Sequence, residues 1–130
     1  MEYNLKKYSI IIDLQDEGNI SAFGFPNEYC QVLMNLINNA KEILVERKIT
    51  NPKIEVRIFK ENDHTVLTLE DNGGGIKTEV QNQVFQPYFS TKDRGMGIGL
   101  YMSKIIIETN MGGRILVSNT DNGAMFRIEL

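Results

Sequence analysis

The chain has 130 residues, with 14 Lys and Arg against 17 Asp and Glu, which gives a formal net charge of −3 at pH 7. This length supports one hydrophobic core but not two, and the charge creates no field that attracts nucleic acid or an anionic membrane. The single cysteine, Cys30, excludes an internal disulfide, and no apolar run reaches the roughly 20 residues that span a bilayer. We therefore expect one cytoplasmic domain over residues 1–130, with no direct contact to nucleic acid or membrane.

The first part of the chain alternates short strand-like runs with one long helix. Residues 8–14 and 20–25 are β-like and are separated by the turn composition Asp-Glu-Gly-Asn. From about Asn27 to Lys48, apolar residues recur with a helical period, which predicts an amphipathic helix that ends before Asn51-Pro52. Its apolar face comprises Val32, Leu33, Leu36, Ile37, Ala40, Ile43 and Leu44.

The rest of the chain predicts two hairpins with two helices between them. The strands are residues 53–59 and 65–70, and then 114–119 and 124–130. A short helix is predicted near residues 78–84 and a longer one from about residue 97 to 110, ended by Gly112-Gly113. Hairpin strands with three helices imply an α+β fold, a two-layer sandwich whose mixed, mostly antiparallel sheet is covered by helices on one face.

Asparagines form a polar stripe in the middle of the first predicted helix. Asn35 and Asn39 stack on one side, and Glu42 follows three positions later. Asparagine is a poor helix former because its amide competes for backbone hydrogen bonds. The stripe is therefore either a solvated helix edge or a set of amide oxygens that serves a hard cation or a polar ligand.

Asp71-Asn72-Gly73-Gly74-Gly75 directly follows a predicted strand. The sequence is typical of a turn, but three glycines exceed the single residue of positive φ that a tight turn usually needs. The functional interpretation is an exposed carboxylate at a strand end, with glycines that clear space for a flat ligand. Such a carboxylate can accept a hydrogen bond from an exocyclic amine and so select adenine over guanine.

A third segment, Gly95-Met96-Gly97-Ile98-Gly99-Leu100, places a glycine at every second position just before an apolar helix. Glycine lets backbone amides approach an anion closely, and a helix amino-terminus favours phosphate. The P-loop pattern is absent, and the spacing differs from the dinucleotide-binding motif.

Together, four ordered segments resemble the ATP-binding catalytic domain of sensor histidine kinases, in the GHKL superfamily. Residues 31–40 are similar to the N-box, 71–76 to the first glycine box, 84–92 to the F-box and 95–100 to the second glycine box. The resemblance covers the chain from about Pro26 to Leu130. It implies the Bergerat α/β sandwich, with ATP bound between the helices and a mobile lid.

The resemblance also implies residue roles. Asn39 would hold Mg²⁺ and Asn35 would support the phosphates, while Asp71 would bind the adenine amine. The implied ATP-binding residues are Asn35, Asn39, Glu42, Asp71, Gly73, Gly75, Ile76, Phe85, Lys92, Gly95, Met96, Gly97, Ile98, Gly99 and Leu100. Of these, Asn35 and Asn39 are the candidate catalytic residues.

Two features favour a kinase over an ATPase. Asn35 stands where the superfamily's ATPases carry a glutamate, and an amide is no general base. The only histidine, His64, lies near a predicted turn, whereas the family's phosphoacceptor lies on a separate helical dimerisation domain. We therefore expect the catalytic domain of a histidine protein kinase, without that dimerisation domain, which transfers the γ-phosphoryl group of Mg-ATP to a partner's histidine.

The resemblance further implies the partners. They are the histidine-bearing dimerisation domain of the parent kinase and, indirectly, a response regulator. The isolated domain is expected to be monomeric. The expectation allows a parent protein that is anchored to a membrane by another segment. Two alternatives stay open: a serine-kinase anti-sigma factor of the same superfamily, and an ATP-gated interaction module that catalyses nothing.

Overall fold

The computed structural model describes residues 2–5, 10–16, 26–81, 83–86 and 99–130. Within these ranges the chain forms strands, α-helices and one π-helical segment. In chain order they are β1 (Glu2–Leu5), β2 (Ile10–Asp16), α1 (Pro26–Glu46), β3 (Lys53–Glu61), β4 (His64–Asp71), α2 (Thr78–Gln81), α3 (Gly99–Lys104), the π-helix (Ile105–Asn110), β5 (Arg114–Asn119) and β6 (Ala124–Glu129).

The strands form one sheet in the order β1-β2-β3-β4-β6-β5. Strands β2 and β3 pair in parallel, with Ile12 opposite Ile54, and the other neighbouring pairs are antiparallel. A parallel pair needs a long crossover connection, and α1 lies in the chain between these two strands. The predicted mixed, mostly antiparallel sheet is confirmed.

The hydrophobic core lies between α1 and one face of the sheet. Helix α1 contributes a stripe of almost fully buried residues, and every second residue of β3, β4 and β6 faces it. These core residues include Val32, Leu36, Ala40, Leu44, Ile54, Val56, Leu67, Leu69, Phe126 and Ile128. The opposite face carries charged side chains, such as Arg127 between Glu61 and Glu129 at 3.1 and 2.7 Å. The predicted two-layer sandwich, with helices on one face, is confirmed.

The local elements agree with most predicted bounds. The turn between β3 and β4 consists of Asn62 and Asp63, both with positive φ of 51° and 66°, as a two-residue hairpin requires. Strand β1 was missed, because its four residues are too short to show a period and its pairing with β2 is a tertiary property. The predicted strand at residues 20–25 lies outside the described residues.

The third predicted helix differs in its second half. It starts in the described residues at Gly99, and from Ile105 the helix widens to π geometry, with Ile106 and Ile107 both buried. Gly112, with φ of 71°, follows its end, as predicted. None of the helices in the described ranges combines the length and the apolar character needed to cross a membrane.

Candidate active site

Helix α1 carries the asparagine stripe along the edge of its buried face. Asn35 and Asn39 each stand one residue before a core position and are half-buried, while Glu42 is exposed. The adjacent core residues are Val32, Leu36, Ala40 and Leu44. Packing of this apolar face against the sheet thus fixes the direction in which the two amides emerge.

Asn35 connects the middle of α1 to the first turn of α3. Its Nδ2 donates to the backbone oxygen of Gly99 at 3.4 Å and to the Oγ of Ser103 at 3.3 Å. The Ser103 hydroxyl, which is fully buried, donates to the same Gly99 oxygen at 2.9 Å. Because the amide nitrogen of Asn35 is engaged within the protein, a ligand contact from this side chain would come from its oxygen.

Only the end of the second glycine box lies within the described residues. Its last two residues, Gly99 and Leu100, begin α3, and Leu100 packs against the core. The other predicted residues of this region, Lys92, Gly95, Met96, Gly97 and Ile98, lie outside the described residues.

Asp71 ends strand β4 at the side of the sheet next to α1. The sequence predicted an exposed carboxylate, and this was wrong: Asp71 is only 3% exposed. Its Oδ1 accepts hydrogen bonds from the backbone N–H of Gly73 at 2.8 Å and of Ala124 at 3.5 Å. Burial raises the pKa of the Asp71 carboxyl, whereas these two N–H groups and the charge of Arg47 act to lower it. The side chain is thus a desolvated carboxylate held by backbone amides.

The three glycines after Asp71 each have a geometric reason. Gly74 and Gly75 have positive φ of 95° and 86°, so two residues of this turn need such a conformation, where the sequence suggested one. A Cβ on Gly73 would stand 2.9 Å from the Cγ2 of Ile43, because the loop packs directly on α1. The loop therefore passes closer to the helix than any residue with a side chain would allow.

The turn between β5 and β6 presses against the same loop from the other side. Gly74 donates its N–H to the backbone oxygen of Asn122 at 3.0 Å. A Cβ on Gly123 would collide with the backbone oxygen of Asp71, so this position also excludes a side chain. The end of β4 is thus enclosed between α1 and this turn.

Asn119, at the end of β5, binds the backbone of Ile76, the residue that follows the glycine loop. Its Nδ2 donates to the backbone oxygen of Ile76 and its Oδ1 accepts from the Ile76 N–H, both at 2.8 Å. These two hydrogen bonds resemble those between paired residues of neighbouring β-strands, and they fix the position of the chain just after Gly75.

Sequence reasoning missed Asn119 and two further residues that fix this loop. The side chain of Asn72 accepts from the Lys53 N–H and donates to the Asn51 oxygen, both at 2.9 Å. Arg47 donates to two carbonyls of the glycine loop. Asn72 lies within the first glycine box, but no local pattern indicated the contacts of any of the three, because each contact joins positions far apart in the chain.

The remaining predicted residues, Ile76 and Phe85, belong to the edge of the core. Ile76 is 8% exposed. Phe85 meets Phe126 edge-on at 6.1 Å between ring centroids, and the Nζ of Lys104 lies 5.6 Å from the centre of its ring. Both residues thus have a packing role, independent of any ligand.

The only histidine of the chain stands far from these groups. His64 is exposed and begins β4, whereas Asp71 ends it. Seven residues of extended strand separate the two Cα atoms by roughly 23 Å. His64 therefore lies at the opposite end of the sheet from the candidate site.

Replacement of Gly75 by alanine is expected to destabilise the fold more than replacement of Gly112. Both have positive φ, which disfavours a side chain by about 1–2 kcal/mol. A Cβ on Gly75 would also stand 3.0 Å from the Oδ1 of Asn119, whereas one on Gly112 meets nothing within 4 Å. We expect an extra loss of ~1 kcal/mol or more in denaturant unfolding of Gly75→Ala. Equal losses in the two variants would show that Asn119 does not crowd this position.

Comparison with known proteins places this chain and its fold in a defined class. The family model "Histidine kinase-, DNA gyrase B-, and HSP90-like ATPase" matches residues 24–130. The chain belongs to this family of ATP-binding domains.

Within that family, its relatives are sensor histidine kinases. It is 34% identical over 122 residues to the C4-dicarboxylate transport sensor protein DctB of Rhizobium meliloti (strain 1021), covering 94% of this chain and 19% of DctB. It is 30% identical over 127 residues to sporulation kinase E of Bacillus subtilis (strain 168), covering 98% of this chain and 17% of that kinase. The chain thus spans about a fifth of the length of the relatives it matches.

Solved structures agree with the fold. The nucleotide-free catalytic domain of the histidine kinase ThkA superimposes with a TM-score of 0.83 at 28% identity, covering 97% of this chain and 82% of that one. The expected Bergerat sandwich is thereby confirmed.

Proposed function

We propose that this chain is the ATP-binding catalytic unit of a two-component sensor histidine kinase, which positions Mg-ATP for γ-phosphoryl transfer to a histidine on a separate helical domain. The observation that carries the proposal is the site along α1. A buried carboxylate and a close-packed glycine loop lie beside the carboxyl-terminal half of the helix, and the start of α3 lies beside its middle. Ile43, which touches Gly73, and Asn35, which touches Gly99, are about 12 Å apart along the helix axis. An elongated ligand can therefore place its base at one end and its phosphates at the other.

At the base end, Asp71 is proposed to accept a hydrogen bond from the adenine amine. Among the described residues, hydrogen bonds to this carboxylate go only to Oδ1, which leaves Oδ2 for a ligand. A charged acceptor in a desolvated site gives a strong and selective hydrogen bond. Gly73, Gly75 and Ile76 are proposed to line the base, because the loop that contains them starts beside the Asp71 carboxylate.

At the phosphate end, Asn39 is proposed to hold Mg²⁺ and Asn35 to support the phosphates through its oxygen. Among the described residues, no group of three His, Cys, Asp or Glu side chains could hold a metal ion. An amide oxygen suits Mg²⁺, which commonly binds through one or two protein oxygens, several waters and substrate phosphates. The metal would neutralise phosphate charge when bound with the nucleotide. Glu42, Phe85, Lys92, Gly95, Met96, Gly97, Ile98, Gly99 and Leu100 complete the proposed nucleotide-binding set.

The proposed chemistry is transfer rather than hydrolysis. Position 35 carries an amide, which cannot deprotonate water at neutral pH. His64 begins β4, at the opposite end of the strand from Asp71. The attacking imidazole is therefore proposed to come from another domain, while this chain orients ATP and would hold the Mg²⁺ that neutralises the phosphate charge.

The same proposal implies the kind of protein that contains this domain and the partners on which it acts. The 130 residues would form one catalytic domain of a longer cytoplasmic or membrane-anchored kinase and would be monomeric on their own. They would act on the dimerisation domain of the parent and, through it, on a response regulator. ThkA has been crystallised in complex with the response regulator protein TrrA. Of the two alternatives, an anti-sigma serine kinase is less favoured, because the matched relatives are sensor kinases.

The isolated domain, incubated with labelled Mg-ATP, is expected neither to label itself nor to turn over ATP appreciably. The physical reason is that the described residues supply no carboxylate base at position 35 and no histidine near the site. Thin-layer separation of labelled phosphate, with parallel autoradiography of the protein, measures both. Brisk hydrolysis without a partner, lost in Asn35→Ala, would instead place the chain with the ATPases of its family.

A further inference from the structure

Arg47 stands directly after α1 and reaches into the glycine loop. Its backbone N–H still donates to the Ile43 oxygen at 3.0 Å, so the helix fixes the start of the side chain. Its Nη1 donates to the backbone oxygens of Gly73 at 2.6 Å and of Gly75 at 2.9 Å. One cationic nitrogen thus joins two carbonyls that flank Gly74.

This contact bears on the geometry of the candidate base site. The carbonyls of Gly73 and Gly75 must point to the same side to share one donor, and the positive φ values of Gly74 and Gly75 allow this. The N–H of Gly73 in turn donates to the Oδ1 of Asp71. The guanidinium is therefore linked to Asp71 through a single residue, Gly73, whose C=O accepts from Arg47 and whose N–H donates to Asp71. Charge-assisted hydrogen bonds are about twice as strong as neutral ones.

The electrostatics point in the same direction. Burial raises the pKa of Asp71, and the positive charge of Arg47 opposes that rise. Loss of Arg47 would thus weaken both the orientation and the ionisation of the carboxylate. Arg47 itself is exposed, and its guanidinium donates hydrogen bonds to the glycine loop.

We infer that Arg47 is a positioning residue for base recognition, which holds the Gly73–Gly75 turn so that Asp71 presents its carboxylate to the adenine. This inference rests on the proposed function, since it assigns a role within the same ATP site. The competing interpretation is a surface contact that stabilises the fold and has no influence on ligand choice.

Calorimetric titration of the 130-residue chain with ATP and with GTP separates the two interpretations. Arg47→Met is expected to weaken ATP binding about tenfold and to lower the ratio of ATP to GTP affinity. Arg47→Lys keeps a cation that can donate to both carbonyls and should restore most of that affinity. Arg47→Gln keeps a neutral NH₂ group on a shorter side chain and should lie in between. Lys48→Met, which removes a charge from the neighbouring exposed residue, should bind like the unchanged protein.

A lowered melting temperature with unchanged ATP affinity and unchanged ATP-to-GTP ratio in Arg47→Met would overturn the inference. If Arg47→Met fails to fold, Arg47→Gln is measured in its place. The inference would then be overturned if Arg47→Gln binds ATP and GTP with the same affinities as the unchanged chain. Failure of the proposed function looks different, because then the unchanged chain itself would not bind ATP in preference to GTP.

Discussion

Replacement of Asp71 by asparagine is expected to weaken ATP binding roughly ten- to a hundredfold, the value of one charge-assisted hydrogen bond. The Oδ1 of asparagine can still accept from the N–H groups of Gly73 and Ala124, as the carboxylate does at 2.8 and 3.5 Å. The amide Nδ2 would then occupy the place of Oδ2 and face the adenine amine, donor against donor. Guanine carries a carbonyl oxygen at the corresponding position, so the preference for ATP over GTP should disappear.

Asparagine is a better test here than alanine. Alanine would leave two backbone N–H groups without their buried acceptor, at a cost of about 1–3 kcal/mol for each unsatisfied group. Asp71→Ala would therefore confound loss of binding with loss of folding. Glu70→Gln is the matched control, because it removes a charge one residue earlier, on the opposite face of β4. Titration calorimetry with both nucleotides gives the result, and unchanged ATP selectivity in Asp71→Asn would exclude a base-binding role.

Asp71→Asn is also expected to change how the stability of the fold depends on pH. Burial raises the folded-state pKa of the Asp71 carboxyl above its ordinary value of 3.8. Because burial disfavours the charged form, the protonated carboxyl stabilises the fold, and this contribution is fully present below pH 3.8. The unchanged protein loses that contribution as the pH rises through the folded-state pKa of Asp71. Asp71→Asn should lack this contribution and unfold at an equal or higher denaturant concentration at neutral pH. A clear fall in stability at neutral pH would mean that the carboxylate charge itself stabilises the loop.

Replacement of Asn39 by alanine is expected to reduce phosphoryl transfer to the partner by roughly a hundredfold or more. A metal ion contributes several kcal/mol to charge stabilisation in such reactions, and Asn39 is the proposed protein ligand of Mg²⁺. The variant should also lose the gain in ATP affinity that Mg²⁺ gives over EDTA. Asn38→Ala is the control, because Asn38 is the neighbouring, exposed residue of the same chemistry. Equal Mg²⁺ dependence in the two variants would remove Asn39 from the metal site.

The sequence predicts much of the fold, because its signals are local. Helix α1 was predictable from the period of its apolar residues, and the two hairpins from alternation and turn residues such as Asn62-Asp63. The parallel pairing of β2 with β3 was not predictable, since it depends on how α1 packs over the sheet. Strand β1 was missed for a similar reason: four residues that pair only at the sheet edge show no period of their own.

The candidate site was predictable only in part. Motif spacing identified Asp71 and the glycines but not their surroundings, so the carboxylate was expected at the surface. Its burial results from the β5–β6 turn, where Gly123 packs against the end of β4. The contacts of Arg47 and Asn119 with the loop join positions 26 to 43 residues apart, and no local pattern reports them.

Transfer of label to a partner in trans tests the central proposal most directly. The domain is mixed with labelled Mg-ATP and the histidine-bearing helical domain of its parent kinase. We predict an acid-labile, base-stable phosphoryl adduct on that helical domain, lost with Asn39→Ala and unchanged with His64→Ala. Label on this chain itself, abolished by His64→Ala, would contradict the proposed division of roles between the two domains.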